Sequence, residues 1–360
     1  MEGDNNTKYF HSLVNKKRPI NSIHKIARDN DSVTEDKDEI ATMAVNFFHS
    51  HLNKVFNTVT NVNPSIIPNV ITCEDNCNLS MVPLLEEVKG ILFNMNVDSV
   101  AGPDGYTTKL FQSTWSIIAS DVFQAVKNFF NGSPIPKFFT STTVVLIPKN
   151  PVVNSWNDFR PISLCNVFYK LISKLLANRL SILLPKIISP FQMGFVKGRS
   201  IADNILLAQE LCQDLDIKVR GGNMVMKLDI AKAYDNINWS FLYKILSLFG
   251  FDSNFINLIN ACIESPFYSI IVNGKTHGYF QASHGLRQGD PLSPSMFIIT
   301  ADYLSRGLAN LFFNCPSLYF KTLGGFQISH LCFADDFIVF SNASKNSIGK
   351  FLEFLIILKM

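Results

Sequence analysis

The run Leu331-Cys332-Phe333-Ala334-Asp335-Asp336-Phe337-Ile338-Val339-Phe340 sets two adjacent carboxylates inside otherwise aromatic and β-branched sequence. Apolar residues on both sides predict buried strands, so the Asp pair falls at a tight turn joining them. Adjacent Asp side chains repel one another and resist burial unless a positive charge neutralises them. A divalent metal does this best, because hard cations such as Mg²⁺ take carboxylate oxygens. An acidic hairpin turn with no further role fits the same run, so the rest of the chain must separate the two readings.

A second carboxylate is placed in the same way. In Met224-Val225-Met226-Lys227-Leu228-Asp229-Ile230-Ala231-Lys232-Ala233-Tyr234-Asp235 the apolar lead-in predicts a strand that delivers Asp229 at its end, beside the Ile230 main chain. Asn236 or Asn238 then caps a helix from Trp239 to Phe249, stopped by Gly250. Taken alone, Asp229 is equally a helix-capping or surface Asp. If the two acidic strand ends are neighbours in one antiparallel sheet, three carboxylates converge. Such a group calls for cations, and two metals about 4 Å apart form the clamp for in-line phosphoryl transfer.

Composition excludes several classes. With 47% hydrophobic and only 17% charged residues the chain is globular rather than disordered, and 31 Phe predict an aromatic core. No apolar run reaches the ~18 residues of a membrane span, and the Met1 region lacks the apolar core of a secretion signal. The seven cysteines therefore read as reduced core thiols of an intracellular protein. Cys73 and Cys77 have no further Cys or His nearby to complete a zinc set. The net charge of +3 hides nine basic residues between Lys137 and Arg199 (Lys137, Lys149, Arg160, Lys170, Lys174, Arg179, Lys186, Lys197, Arg199) against the single acid Asp158. Interleaved with Phe191, Phe195 and Gly198, they read as a surface facing phosphates; a solvated cationic helix face is the alternative.

Along the chain, residues 1–30 are polar with a basic cluster Lys16-Lys17-Arg18, and an acidic segment follows up to Glu39. Helical spacing covers Ile40 to Phe56, and an Asn/Pro/Thr-rich stretch over roughly 57–79 predicts a linker, with the compact domain starting near Ser80. Helices are expected over Leu84–Met95 and Leu110–Phe130, a strand over Thr142–Ile147, and a long helix after Arg160-Pro161-Ile162-Ser163-Leu164 as far as Leu184. The segment His284-Gly285-Leu286-Arg287-Gln288-Gly289-Asp290-Pro291-Leu292-Ser293-Pro294 opens a helix running from Ser295 to Leu311, its first turn preset by proline. Glycines there let main chain approach a nucleotide or template, and Gln288 can hydrogen-bond a base or sugar edge.

Seven motifs in order carry a resemblance: Gly102-Pro103-Asp104-Gly105; Leu146-Ile147-Pro148-Lys149; Phe159 through Leu164; Gln192-Met193-Gly194-Phe195 with Gly198-Arg199-Ser200; Leu228-Asp229 through Tyr234-Asp235; Gly285 through Pro294; and Phe333-Ala334-Asp335-Asp336. The chain resembles the reverse transcriptase of LINE-type non-LTR retrotransposons, in particular plant ones, and Asn6-Thr7-Lys8-Tyr9-Phe10-His11 is similar to the segment that precedes the polymerase there. The resemblance implies an α+β fold of right-hand type, with a ferredoxin-like antiparallel palm sheet and flanking helices: fingers about 80–222, palm about 223–345, and the start of a palm-to-thumb segment at 346–360. It implies RNA-directed DNA polymerase chemistry on an RNA template, a DNA primer and dNTPs. Asp229 and Asp335, with the Ile230 carbonyl, would hold two Mg²⁺ ions and Asp336 would assist. Tyr234 would lie under the incoming sugar, Lys149 and Arg160 would contact the triphosphate, and Gln288 and Gly289 would flank the nascent pair. Lys197, Arg199 and Arg287 would contact nucleic acid.

The family's upstream endonuclease and downstream primer grip and thumb have no counterpart here, so a fragment is expected, with one palm edge exposed. A nuclear location follows only from kinship. The other readings are an inactive remnant that binds nucleic acid through basic fingers, and a two-metal nuclease or cyclase, against which Tyr234 and the 285–294 loop argue.

Overall fold

The computed structural model describes residues 22–28, 32–54 and 62–358. Lys16-Lys17-Arg18, Asn6 through His11 and Phe56 lie outside the described residues. In chain order the elements are β1 (Ile26–Ala27), β2 (Val33–Thr34), α1 (Lys37–Leu52), α2 (Cys73–Ser80), α3 (Leu85–Phe93), α4 (Thr108–Ser113), α5 (Trp115–Phe130), α6 (Lys137–Thr140), β3 (Thr142–Pro148) and β4 (Phe159–Cys165). There follow α7 (Val167–Ile187), α8 (Ile201–Gln213), β5 (Asn223–Asp229), α9 (Trp239–Phe249), α10 (Ser253–Ile263), β6 (Phe267–Val272), β7 (Lys275–Gln281), α11 (Ser293–Asn314), β8 (His330–Phe333), β9 (Asp336–Asn342) and α12 (Lys345–Leu358). The fold is α+β, as expected. No helix among the described residues is long and apolar enough to cross a membrane.

Two compact units divide the chain, each assembled from three separated segments. The first comprises Met1–Lys54, Met81–Leu175 and Asn257–Pro291. Its sheet has the order β4-β3-β6-β7, with β3 antiparallel to β4 and parallel to β6. Asn273 (φ 50°) and Gly274 (φ 83°) close the β6–β7 hairpin; two successive positive φ values are what a type I′ turn demands. Helix α1 starts where the Asp36 side chain accepts from the Glu39 N–H. Its residues Ile40, Ala41, Ala44 and Phe48 recur at helical spacing and bury against Val144, Tyr268, Ile270, Val272 and Phe280 of the sheet. Each large apolar side chain so buried contributes about 1.5–3 kcal/mol.

One expectation changes here, and one unassigned segment proves to be a strand. The stretch from Leu110 to Phe130 is two helices, because Thr114 leaves helical geometry and caps α4 with its N–H on Leu110 and Gln112 carbonyls. Arg160 through Leu164 is itself a strand, paired along its length with β3 despite Pro161; β4 is the sheet edge, where a proline without an N–H is tolerated.

The second unit comprises Val55–Ser80, Leu176–Ile256 and Leu292–Met360. Its sheet is β5-β9-β8, antiparallel throughout. The central strand β9 buries Phe337, Val339 and Phe340 completely. Helix α9 is capped by Asn238, whose side chain accepts from Phe241 N–H, and ends at Gly250 with φ 100°. It buries Phe241, Leu242, Ile245, Leu246 and Phe249, and its neighbour α11 is buried along most of its length.

Residues 62–79, expected within a linker, are packed into this unit. The Val70 and Ile71 N–H groups donate to the Phe249 carbonyl, the Asn76 amide donates to the Gly250 carbonyl, and Lys186 pairs with Asp75 at 2.8 Å. Its composition suggested a loop, but its main chain finds partners on the end of α9. The thiols also differ from expectation. Cys165, Cys262 and Cys332 are buried and Cys315 is half-buried, whereas Cys73, Cys77 and Cys212 are exposed.

Candidate active site

In the second unit β5 and β9 run antiparallel in a register that sets Asp229 directly opposite Asp336. Opposed residues of an antiparallel pair have Cα atoms about 4.5–5.5 Å apart and point to one face. Asp335 occupies the two-residue turn between β8 and β9, after Ala334, whose φ of 54° is left-handed. The strand ends expected to meet therefore meet: the ladder of β5 and β9 runs from Asn223 opposite Asn342 to Asp229 opposite Asp336, and a one-residue slip would turn Phe337 and Val339 out of the core. Asp229 and Asp336 are exposed and Asp335 is half-buried.

Lys227, two positions before Asp229 and so on the same face of β5, places Nζ 2.8 Å from Asp336 Oδ1. The Asp336 hydrogen bond and charge, aided by Asp229 and Asp335, hold this ammonium above its ordinary pKa. Both partners are largely solvated, at 68% and 53% exposure, so the pair adds little stability. Its effect is on arrangement: the cation expected for Asp336 is supplied by the protein. Among the described residues no group of three or more His, Cys, Asp or Glu is assembled to hold a metal. The register brings the three carboxylates to one strand end, but they are not gathered into such a group. What remains suits Mg²⁺ nonetheless, since that ion is usually held by one or two carboxylates plus substrate phosphates rather than by an all-protein cage. Asp229, Asp335 and the Ile230 carbonyl are hard oxygen donors of that type.

Tyr234 lies in the loop after β5, its ring stacked on Phe297 of α11 at 5.0 Å and 17°. Burial and then the Asp335 charge push its phenol up to about 12, so it stays protonated at neutral pH.

The remaining candidates divide between the units. In the first, Lys149 and Arg160 lie at one end of the β3–β4 hairpin, where Arg160 opposes Ile147 and the Lys149 N–H donates to the Asp158 carbonyl. Lys149 Nζ donates to the Asn157 carbonyl at 2.8 Å, and the Arg160 side chain is exposed. Gln288 docks through its carbonyl, which accepts from Ser163 N–H, and Gly289 adopts φ 108° with a Cβ position only 2.9 Å from the Ser163 carbonyl. No other residue fits that approach without displacing β4.

Arg287 departs from the nucleic-acid role expected of it. It is 5% exposed, paired with Asp290 at 2.7 Å, and stacked 3.9 Å over the Tyr169 ring. Tyr169 also donates to Asp290 at 2.8 Å, Ser173 donates to the other Asp290 oxygen, and Arg287 donates to the Cys262 carbonyl and Thr142 hydroxyl. A buried guanidinium must satisfy its donors inside the fold, and this one does. In the second unit Lys197 is exposed, whereas Arg199 donates to the carbonyls of Pro185, Ile188, Ser189 and Gln192, closing the end of α7 rather than facing outward. Others of the nine basic residues are spent likewise: Lys137 over Phe267, Lys170 on the Val100 carbonyl, Arg179 on the Leu79 carbonyl.

Sequence reasoning missed Lys227 and the Tyr169–Asp290 network. Lys227 was visible as a residue two before Asp229 on a predicted strand; nothing local flagged Tyr169.

Residues 147–358 match the family described as "Reverse transcriptase (RNA-dependent DNA polymerase)". The chain is 24% identical over 307 residues to the transposon TX1 uncharacterized 149 kDa protein of Xenopus laevis, covering 83% of this chain and 23% of that one. It is 27% identical over 264 residues to the Pol polyprotein from the type-2 retrotransposable element R2DM of Drosophila melanogaster, covering 72% and 24%. It thus spans about a quarter of the length of these relatives. Among solved structures, apo telomerase from Candida tropicalis truncated from its C-terminal domain overlays with a TM-score of 0.42 and 17% identity over 71% of this chain and 54% of that one, a likeness too slight to argue from.

Proposed function

This chain belongs to the reverse transcriptase (RNA-dependent DNA polymerase) family, and on that premise we propose that it carries the nucleotidyl-transfer site of a non-LTR retrotransposon polymerase, acting on an RNA template, a DNA primer and dNTPs. The observation that carries this reading is the register that opposes Asp229 and Asp336, with Asp335 in the adjoining turn. Enzymes of the family generally use divalent metal ions, and the finer assignment is two Mg²⁺ held by Asp229, Asp335 and the Ile230 carbonyl. When bound, the ions supply the Lewis acidity that makes the primer 3′-hydroxyl a nucleophile and neutralises the pyrophosphate leaving group.

The chain's own groups do the rest. Lys227 keeps Asp336 neutralised and so leaves Asp229 and Asp335 as the unpaired carboxylates of this strand end. Tyr234, held flat by Phe297, presents a rigid ring where an incoming 2′-hydroxyl would collide. Lys149 and Arg160 contact the triphosphate, where a guanidinium binds phosphate oxygens in pairs. Gln288 and Gly289 flank the nascent base pair, and Lys197 is the exposed cation for the nucleic-acid backbone. Fingers and palm map to residues about 80–222 and 223–345 under this reading, and a nuclear address belongs to it too, checked by imaging a tagged chain.

Primer extension on an RNA template with dNTPs and Mg²⁺ tests the proposal. Asp335→Ala is expected to lower extension on the order of 10⁴-fold, with template binding retained. Binding without extension by the parent chain would instead favour a catalytically idle nucleic-acid-binding remnant.

A further inference from the structure

The turn that carries Asp335 is held from outside its own hairpin. Ala334 is left-handed, a conformation that a residue with a Cβ adopts only when its surroundings over-determine it. The surroundings here come chiefly from one side chain far away in sequence. Gln192, 2% exposed, accepts the Ala334 N–H on Oε1 at 2.8 Å and donates from Nε2 to the Ala334 carbonyl at 3.1 Å. The same Oε1 accepts the Gly194 N–H at 2.8 Å. Main chain continues the attachment: Cys332 N–H donates to the Phe191 carbonyl and Met193 N–H donates to the Cys332 carbonyl, both at 3.0 Å, a single parallel bridge beside β8. Asn204 of α8 donates to the same Cys332 carbonyl at 3.0 Å. Gly194 is required by the closeness of the fit, since a Cβ there would lie 2.6 Å from Ala334 N.

The pairing selects glutamine by chemistry. Oε1 faces two N–H donors and Nε2 faces a carbonyl, so only a neutral primary amide in one orientation satisfies all three. A carboxylate would meet the Ala334 carbonyl without a proton to offer, and a thioether would offer neither a donor nor a comparable acceptor.

We propose that Gln192 is a positioning residue for the acidic turn: by bonding both main-chain groups of Ala334 it aims the adjoining Asp335 carboxylate toward Asp229, so that the two can share a divalent cation. This rests on the metal-binding role given to Asp335 above. Metal affinity is sensitive to groups of this kind, and loss of such a support costs ~10–100-fold.

The test uses the full chain as wild type, Gln192→Met, Gln192→Glu, Asp335→Ala and, as a destabilised control remote from the turn in sequence, Leu246→Ala in the buried face of α9. Amide hydrogen exchange is followed by mass spectrometry in peptides spanning 331–337, and Mn²⁺ binding is measured directly from the electron paramagnetic resonance of the free ion. Gln192→Met is expected to speed exchange in the turn and weaken Mn²⁺ binding by at least ~10-fold. Leu246→Ala should lower the melting temperature while altering neither. Gln192→Glu should move both readouts in the same direction by less, and carries the test should the Met variant fail to fold. Unchanged turn exchange, or faster exchange with Mn²⁺ affinity intact, overturns the proposal while an Asp335→Ala loss of Mn²⁺ leaves the metal reading standing. Equal Mn²⁺ binding by wild type and Asp335→Ala removes that reading, and the positioning role with it.

Discussion

His330 begins β8 with its ring fully buried, Nε2 2.7 Å from the Ser305 hydroxyl and Nδ1 2.9 Å from the Ser329 hydroxyl, close against Phe191 and Phe337. Each serine hydroxyl can donate or accept, so the hydrogen bonds permit either protonation state, and it is burial of the charge that disfavours the imidazolium. Burial holds its pKa down to about 3 against an ordinary 6.5. The sign follows: above about 6.5 both folded and unfolded chains carry a neutral ring, and below it the unfolded chain takes up a proton that the fold refuses. Stability is therefore full above pH 6.5 and falls towards pH 3, by up to about 1.4 kcal/mol per pH unit. His330→Gln should flatten the dependence of melting temperature on pH over that window; an unaltered slope would assign the acid lability to other groups. Tyr234 belongs to the same scale. With its ring fixed on Phe297, removal by Tyr234→Ala should reduce the preference of kcat/KM for dNTPs over rNTPs by roughly 10²-fold, while Tyr234→Phe keeps it. Equal discrimination in all three would end the sugar-excluding role.

Elements were legible where their signals are local. The cap at Asn238, the apolar spacing of α9 and the stop at Gly250 are properties of consecutive residues, and they form the helix as read. The breaks at Thr114 and the strand at Phe159–Cys165 were not legible. The first depends on where the hydroxyl and N–H of Thr114 find carbonyls, the second on β3 supplying a partner ladder. Gly250 shows both kinds of information in one residue. Its positive φ follows from ending a helix, but its neighbours are tertiary: a Cβ there would stand 2.5 Å from Asn69 Oδ1 and 3.0 Å from the Ile71 carbonyl. Gly250→Ala is expected to cost about 1–3 kcal/mol through strain and this crowding. Urea unfolding with an unchanged m-value and a lower midpoint would show it; an unshifted midpoint would mean that the 69–71 segment gives way freely.

For the molecule as a whole, the consequence is that each unit needs sequence from distant places. The second draws on Val55–Ser80 and Leu176–Ile256 as well as on Leu292–Met360, and the intervening Asn257–Pro291 belongs to the first. A fragment of residues 223–345 therefore lacks the segment that caps α9 and the Gln192–Asn204 region beside β8, and carries β6 and β7 without β3. It should show no cooperative thermal transition by circular dichroism, since its apolar faces are left without partners. A sharp melt from that fragment would mean that residues 223–345 fold as one continuous stretch.

The apolar runs of β5 and β9, the caps of α9 and the acidic ends of two strands follow from residues a few positions apart. Backbone geometry ties such neighbours together before any tertiary contact forms, so this much could be read directly from the chain. That Lys227 neutralises Asp336, that Arg287 is buried on Tyr169 and Asp290, and that Gln192 holds Ala334 depends on pairings between side chains and main chain whose members carry no mark of one another. Only folding brings such partners within hydrogen-bond range, and burial then decides which charges must be answered inside the protein and which are left to face a substrate.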